Sequence, residues 1–102
     1  MVKRINAKEA KKIMDSGDKF QLIDVRNADE YREAHIKGSK LMPLDTLKKT
    51  IEKEVQDKNE KLLVYCASGM RSGKACKILN DLGYRNVYNI GGIVNWPYGV
   101  EK

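Results

Sequence analysis

Cys66-Ala67-Ser68-Gly69-Met70-Arg71-Ser72 is the stretch whose residue types and spacing could do chemistry. Cysteine is nucleophilic as its thiolate, and a thiolate is favoured where cations and backbone N–H groups converge. A helical pattern begins near Ser72, and the first N–H groups of a helix have no carbonyl partner within it. Together with the aligned peptide dipoles they favour negative charge at the helix start. Gly69 lets the loop curl so that several N–H groups point inward as an anion-binding nest. Arg71 adds a permanent charge on a forked set of donors. The stretch therefore reads as a nucleophile, Cys66, in an anion cradle closed by Arg71, with Ala67, Ser68, Gly69, Met70 and Ser72 around the bound group. The plain alternatives are a small buried hydrophobe at Cys66 and a surface ion pair at Arg71. The clustering of glycine, arginine and helix start favours the catalytic reading, and Met70, apolar in an exposed loop, would line the entrance.

The elements that must position this loop follow from local pattern. Leu62-Leu63-Val64-Tyr65 is a short apolar run, read with Lys61 as the strand leading into Cys66, and a helix carrying Ala75, Ile78, Leu79 and Leu82 follows it to Gly83. Upstream, Asn6 and Glu9 form a capping-box pair for a first helix that Gly17 terminates. Phe20-Gln21-Leu22-Ile23-Asp24-Val25 reads as a buried strand. A second helix takes Asn27 as cap with Glu30 three residues on, and its inner face would carry Ala28, Tyr31 and Ala34. A brief strand near Ser39–Met42 stops at Pro43. Asp45 would cap a third helix with the apolar line Leu44, Leu47, Ile51 and Val55. Asn86-Val87-Tyr88-Asn89 is the last expected strand, Gly91-Gly92 a turn, and Ile93, Val94 and Trp96 a short final helix. Strands alternating with helices imply an α/β fold with a mostly parallel sheet covered on both faces. Ligands bind such sheets beyond the carboxyl ends of the strands, and Cys66 falls at that edge. Asp24, at the end of a neighbouring strand, either fixes the loop by accepting hydrogen bonds or is a structural cap. Arg26 and Glu30, four apart at a helix entrance, read as a structural pair.

Composition narrows the function classes. A chain of 102 residues, 33% charged and 41% apolar, suits one soluble globular domain over the whole of 1–102. No apolar run approaches the length needed to span a bilayer, and Met1-Val2-Lys3-Arg4-Ile5 has no apolar stretch behind its basic residues, so neither a membrane span nor a signal peptide is expected. Two cysteines in an untargeted chain point to reduced thiols and a cytoplasmic location. The net charge of +6 comes from lysines scattered among acids, as in Lys48-Lys49-Thr50-Ile51-Glu52-Lys53-Glu54, with no basic stripe and no nucleic-acid motif. A solvated surface, and no nucleic-acid partner, is the reading, with Lys74 and Lys77 able to help draw in small anions. Two cysteines and one histidine lack the spacing of a structural metal site. Cys76, four residues into the helix and beside its apolar face, reads as core packing rather than a second reactive thiol.

With strand, glycine and helix in place, Cys66 to Ser72 resembles the active-site loop of the rhodanese-like sulfurtransferases. Four residues separate Cys66 from Arg71, where the related cysteine-based phosphatases have a longer loop. The smaller ring suits a single sulfur atom better than a tetrahedral phosphate. Asp24-Val25-Arg26, then Glu30-Tyr31 and His35-Ile36-Lys37-Gly38-Ser39, resemble the family's N-terminal signature, and Gly91-Gly92-Ile93-Val94-Asn95-Trp96 its C-terminal one. Ala34 stands where a glycine usually precedes the histidine, and Ser39 where alanine is usual.

The resemblance implies a rhodanese-like three-layer α/β/α architecture with a central sheet of about five strands. It implies a thiosulfate sulfurtransferase: the Cys66 thiolate takes a sulfane sulfur from a small anionic donor such as thiosulfate, and passes it to cyanide, a small thiol or a protein thiol. The cysteine persulfide carries the sulfur, so no cofactor is needed and ping-pong kinetics are expected. His35, the lone imidazole, is placed by the resemblance in a framework motif away from the nucleophile. A monomer is expected. Two other readings compete, a non-catalytic or sulfur-carrier module acting with a partner protein, and a small cysteine-based phosphatase or arsenate reductase.

Overall fold

In the computed structural model, which describes residues 2–102, the buried strand of the first half is β2 (Phe20–Asp24) and the strand before the cysteine loop is β5 (Lys61–Cys66). They pair in parallel, from Phe20 opposite Lys61 to Asp24 opposite Tyr65. Around them a five-stranded sheet is built from β1 (Val2–Arg4), β4 (Lys40–Leu41) and β6 (Asn86–Gly92), in the order β1-β6-β5-β2-β4. All four neighbouring pairs are parallel. Parallel neighbours need crossovers, and the helices that make them cover both faces, which is why the central strands bury both sets of side chains.

Alternation along β5 divides the core. Leu62, Val64 and Cys66 face one side, with Ile23, Val25 and Val87 from the flanking strands, and pack on α3 (Leu47–Glu54) and α4 (Met70–Asp81). Leu63 and Tyr65 face the other side, with Leu22 and Ile90, against Ala10 and the partly buried Ile13 and Met14 of α1 (Ala7–Asp15). A period of two thus puts Cys66 on the side covered by the helix that follows it.

Both expected capping boxes form. The Asn6 side chain accepts from the Glu9 N–H at 2.8 Å while Glu9 accepts from the Asn6 N–H at 3.2 Å. Asn27 and Glu30 repeat the arrangement at the start of α2 (Ala28–Glu33). Such caps satisfy donors that the first helical turn leaves free, and both partners lie within three residues of each other.

Several expectations are corrected. Asp45 does not cap α3. Residues 44–46 form a turn in which the Thr46 N–H donates to the Pro43 carbonyl, and the helix begins after Thr46 without a side-chain cap. The apolar line still faces inward, with Leu47, Ile51 and Val55 buried and Leu44 packed against them. On α2, Ala28 is exposed, so the inner side consists of Tyr31 and Ala34, both half-buried. Helix α4 starts at Met70, two residues before Ser72. Gly91 and Gly92 end β6 instead of forming a separate turn, and Trp96 follows a 3-10 turn at Ile93–Asn95.

Two pairings have no local signature. Strand β1 is short, polar and exposed along its length, features that also protect a sheet edge from unwanted pairing. Met1 lies outside the described residues. The second, antiparallel pair joins β3 (His35–Ile36) to β7 (Val100–Glu101) and ties the chain's last residues to the middle of the molecule. No helix among the described residues is long and apolar enough to cross a membrane.

Candidate active site

Cys66 is the last residue of β5, only 1% exposed and part of the apolar cluster, yet polar groups reach its sulfur. The Gly69 N–H donates to Sγ at 2.9 Å, and the Ser72 hydroxyl lies 3.5 Å from it. Burial pushes the thiol up. The Ser72 hydroxyl and the N–H groups of Ser72, Gly69 and Ser68 pull it down, and their combined pull wins. Hydrogen bonds to the charged form therefore outweigh desolvation, and Cys66 sits below the ordinary thiol value.

The turn that makes this possible depends on Gly69, whose φ of +105° is a left-handed conformation that side chains disfavour. It is the residue before α4, so the chain passes straight from the curled loop into the helix. Ala67 and Ser68 rest on Gly92. A Cβ there would come within 2.0 Å of the Ala67 carbonyl oxygen and 2.7 Å of the Ser68 Cα. Gly92 is also the register partner of Cys66 across β5 and β6. Its need for glycine is a matter of space, and reading Gly91-Gly92 as a turn missed it.

Asn89 is a second residue that sequence reasoning missed. Its Oδ1 accepts from the Ser72 hydroxyl at 2.8 Å and from the Gly91 N–H at 3.0 Å. The register of β6 slips by one at Ile90, which leaves Asn89 opposite Val64 and on the α4 side, with Gly91 opposite Tyr65. Bulges of this kind commonly re-aim side chains beside active sites. A buried asparagine inside a strand, where the residue is disfavoured, is the available signal. Ser72 has one hydroxyl hydrogen and several acceptors, because the Gly69 carbonyl is also 3.0 Å away. A protonated Cys66 can donate to Ser72 Oγ while Ser72 donates onward. Once ionised, Cys66 competes with Asn89 for that same hydrogen.

Arg71 is placed differently from expectation. Its two terminal nitrogens pair with both carboxylate oxygens of Glu30, at 2.6 and 2.9 Å, and no hydrogen bond joins it to Cys66 among the described residues. The guanidinium holds the Glu30 carboxyl down at about 2 against the opposing effect of burial. In turn Glu30, together with the nearby Cys66, raises the Arg71 guanidinium. Arg71 thus lends charge to the loop while its fork anchors the loop to α2. Glu30 is accordingly not the partner of Arg26. That role falls to Asp24, which is fully buried and accepts from the Arg26 backbone N–H at 2.9 Å and from its guanidinium at 2.8–3.1 Å. Asp24 holds Arg26 and not the cysteine loop, so of its two readings the structural one holds.

The remaining candidates sit apart from the sulfur. His35 stacks on the Tyr31 ring at 3.9 Å, with Nδ1 2.9 Å from the Tyr31 carbonyl oxygen, and packs beside Glu101. Ser39 bonds the Tyr65 hydroxyl at 2.9 Å, and that hydroxyl also accepts the Ile36 N–H, so the segment after His35 is moored to β5. This gives the serine at position 39 a partner that alanine would lack. Ala34 is extended, with φ of −167°, a conformation that needs no glycine. Met70 is 76% exposed at the first turn of α4, and Cys76 is wholly buried in the core.

The arrangement can stabilise a sulfur anion with N–H and hydroxyl donors, which is what a nucleophilic thiol requires. Comparisons with known proteins point the same way. The family model described as rhodanese-like domain matches residues 6–97. The chain is 42% identical over 71 residues to the thiosulfate sulfurtransferase PspE of Escherichia coli, covering 70% of this chain and 68% of that protein. It is 29% identical over 101 residues to the putative sulfur carrier protein YrkF of Bacillus subtilis, covering 98% of this chain but 54% of that one. Against tRNA uridine(34) hydroxylases it spans only 23–28% of their length. Among solved structures, a rhodanese with anions from E. coli superposes with a TM-score of 0.77 at 38% identity, over 80% of this chain and 96% of that one. On the fold, the loop and these matches together, the chain belongs to the family of rhodanese-like domains.

Proposed function

We propose that this protein is a sulfurtransferase that carries a sulfane sulfur on Cys66. The observation that carries this reading is the ring of Ser68, Gly69 and Ser72 donors around a buried sulfur whose ionisation they favour. In the first half-reaction the Cys66 thiolate attacks the outer sulfur of thiosulfate. The sulfur–sulfur bond of the donor breaks, its electron pair leaves with sulfite, and the persulfide remains on the enzyme. In the second half-reaction an acceptor such as cyanide or a thiolate attacks the outer sulfur, and the Cys66 sulfur leaves as the thiolate. The N–H ring stabilises the charge at each stage, as an oxyanion hole does for oxygen. Arg71 acts from its pair with Glu30, as a fixed charge that also holds the loop in shape.

The experiment is to incubate the protein with thiosulfate, weigh it intact, and then add cyanide. A gain of one sulfur on Cys66, discharged as thiocyanate, is expected. Absence of any adduct with thiosulfate and with other sulfane donors, or turnover of an aryl phosphate, overturns the reading. A second reading, a sulfur carrier that hands its cargo to a protein, is favoured by the match over nearly the whole chain to a putative carrier and by the 1% exposure of Cys66. It predicts an adduct that small acceptors fail to discharge.

A further inference from the structure

Asn89 is a polar side chain inside the sheet. Strand β6 lies between β1 and β5, and Asn89 is paired on both sides, with Arg4 and with Val64. It is only 6% exposed and lies against α4, its amide nitrogen 3.8 Å from where a Cβ on Gly73 would stand. Burying an amide costs free energy unless partners are supplied, so the partners define what the residue is for.

Those partners have fixed polarity. The Gly91 N–H, 3.0 Å from Oδ1, can only donate, and it therefore fixes which end of the Asn89 amide faces Ser72. Oδ1 can only accept, so at 2.8 Å it takes the one hydrogen of the Ser72 hydroxyl. The Gly69 carbonyl, 3.0 Å from that hydroxyl, is already supplied by the Gly73 N–H. With its hydrogen turned to Asn89, Ser72 shows lone pairs to Cys66, 3.5 Å away. Lone pairs suit a thiol that donates and repel a thiolate. The Gly69 N–H acts in the opposite sense, toward the thiolate. The charged and titratable groups nearby stand outside this chain of hydrogen bonds. Arg71 and Cys76 of α4 act on the sulfur through space, and Arg4 of β1 approaches Gly69. Glu30 of α2 is held by Arg71, and Asp24 of β2 by Arg26. Among the described residues none of these side chains bonds the side chain of Asn89 or Ser72.

We propose that Asn89 is a positioning residue that withholds the Ser72 hydrogen from the Cys66 sulfur, and so favours retention of a transferred sulfur over its discharge. The proposal rests on the sulfur-transfer reading above and concerns the balance between its two half-reactions. In sulfur exchange a thiol loses nucleophilicity and departs faster as it becomes more acidic. A Cys66 thiolate without the Ser72 hydrogen bond is thus the stronger nucleophile toward the donor's outer sulfur and the poorer leaving group afterwards. In discharge the acceptor bonds to the outer sulfur, the bond from that sulfur to Sγ breaks, and its electron pair returns to Cys66. Ser72 can stabilise that departure only by turning its hydrogen away from Asn89.

The test follows alkylation of Cys66 by iodoacetamide against pH, in the full chain and in Asn89→Leu, which fills similar space without the acceptor. Freed of Asn89, Ser72 donates to the thiolate, and the inflection should move down. Simple loosening of the loop would take donors off the sulfur and move it up. In a Ser72→Ala background, Asn89→Leu should leave the inflection where Ser72→Ala alone puts it. Asn89→Asp, made in the otherwise unmodified chain, restores the acceptor and should return the inflection to the unmodified position or above. Asn89→Ala loses the same acceptor and serves if the leucine does not fit. Loaded with thiosulfate, the Asn89→Leu protein should release its sulfur to cyanide faster, by about threefold for a tenfold gain in acidity. An inflection that rises or stays in place in Asn89→Leu and Asn89→Ala overturns the proposal. Unchanged or slower discharge despite a lower inflection overturns the retention it assigns to Asn89. If the inflection falls but thiosulfate loads no sulfur on the unmodified protein, the withheld hydrogen stands and the sulfur-transfer reading falls.

Discussion

Cys66 and Cys76 are both free, both almost wholly buried and both part of the same apolar cluster, yet they are driven in opposite directions. Burial pushes the Cys76 thiol up to about 12, helped by the nearby charge of Cys66, and no group among the described residues donates a hydrogen bond to offset that. Cys66 suffers the same penalty of burial and ends below the ordinary value, because four donors converge on it. The difference lies in backbone geometry. Cys76 is inside α4, where the N–H groups are spent on carbonyls one turn back, whereas Cys66 faces the first turn, where they are free. The direction in which each thiol is driven follows from whether it meets the first turn of the helix or its interior, and exposure is a poor guide to it.

The sharpest way to break this comparison is to remove each thiol in turn. Cys66→Ser should cut sulfur transfer by at least about a thousandfold, the usual scale for losing a covalent nucleophile. Cys76→Ala should leave transfer within about twofold and lower stability by about 1 kcal/mol through the small cavity it opens. Assay of thiocyanate formation and chemical denaturation of both variants decide it. Sulfur loading on Cys76 would end the distinction.

A smaller effect tests whether the loop's shape makes the difference. Gly92→Ala sets a methyl 2.0 Å from the Ala67 oxygen, against backbone that cannot rotate away. Transfer should fall about a hundredfold as the donors move off the sulfur, and stability by about 1–3 kcal/mol. Gly73→Ala is the control. It lies within α4, where its methyl would meet only the Asn89 side chain at 3.8 Å, and helix propensity should raise stability by about 0.5–1 kcal/mol. Thermal melts alongside turnover separate the two glycines.

The smallest effect concerns one hydrogen bond. Alkylation by iodoacetamide follows the thiolate, so its rate at Cys66 should rise with pH through an inflection below the ordinary thiol value, while Cys76 stays unmodified in the native protein. Ser72→Ala removes a donor to the charged form and should move that inflection up. A shift downward would mean that Ser72 serves Asn89 and not the sulfur.

The parts of this molecule that were legible in the sequence are those whose partners are near in the chain. Asn6 with Glu9, and Asn27 with Glu30, cap their helices as read, since a capping box closes over three residues. The strand, glycine and helix around Cys66 were equally local, and the continuous apolar runs of β2 and β5, in a chain where strands alternate with helices, pointed to the parallel sheet. Short, polar strands left no trace. Val2–Arg4 and Val100–Glu101 become strands only because an edge is waiting for them.

Residue types in order thus determined where the candidate nucleophilic sulfur would stand, which helix would begin beside it and what kind of sheet would carry both, because propensity, capping and apolar runs act over a few residues. Tertiary structure alone decided that Arg71 would grip Glu30, 41 positions away, that Asn89 would compete for the Ser72 hydrogen across 17, and that Gly92 would have to be bare for Ala67 to lie on it. Those contacts depend on strand order and on a one-residue slip in β6, and distances of a few ångströms between remote segments exist only once the sheet has closed.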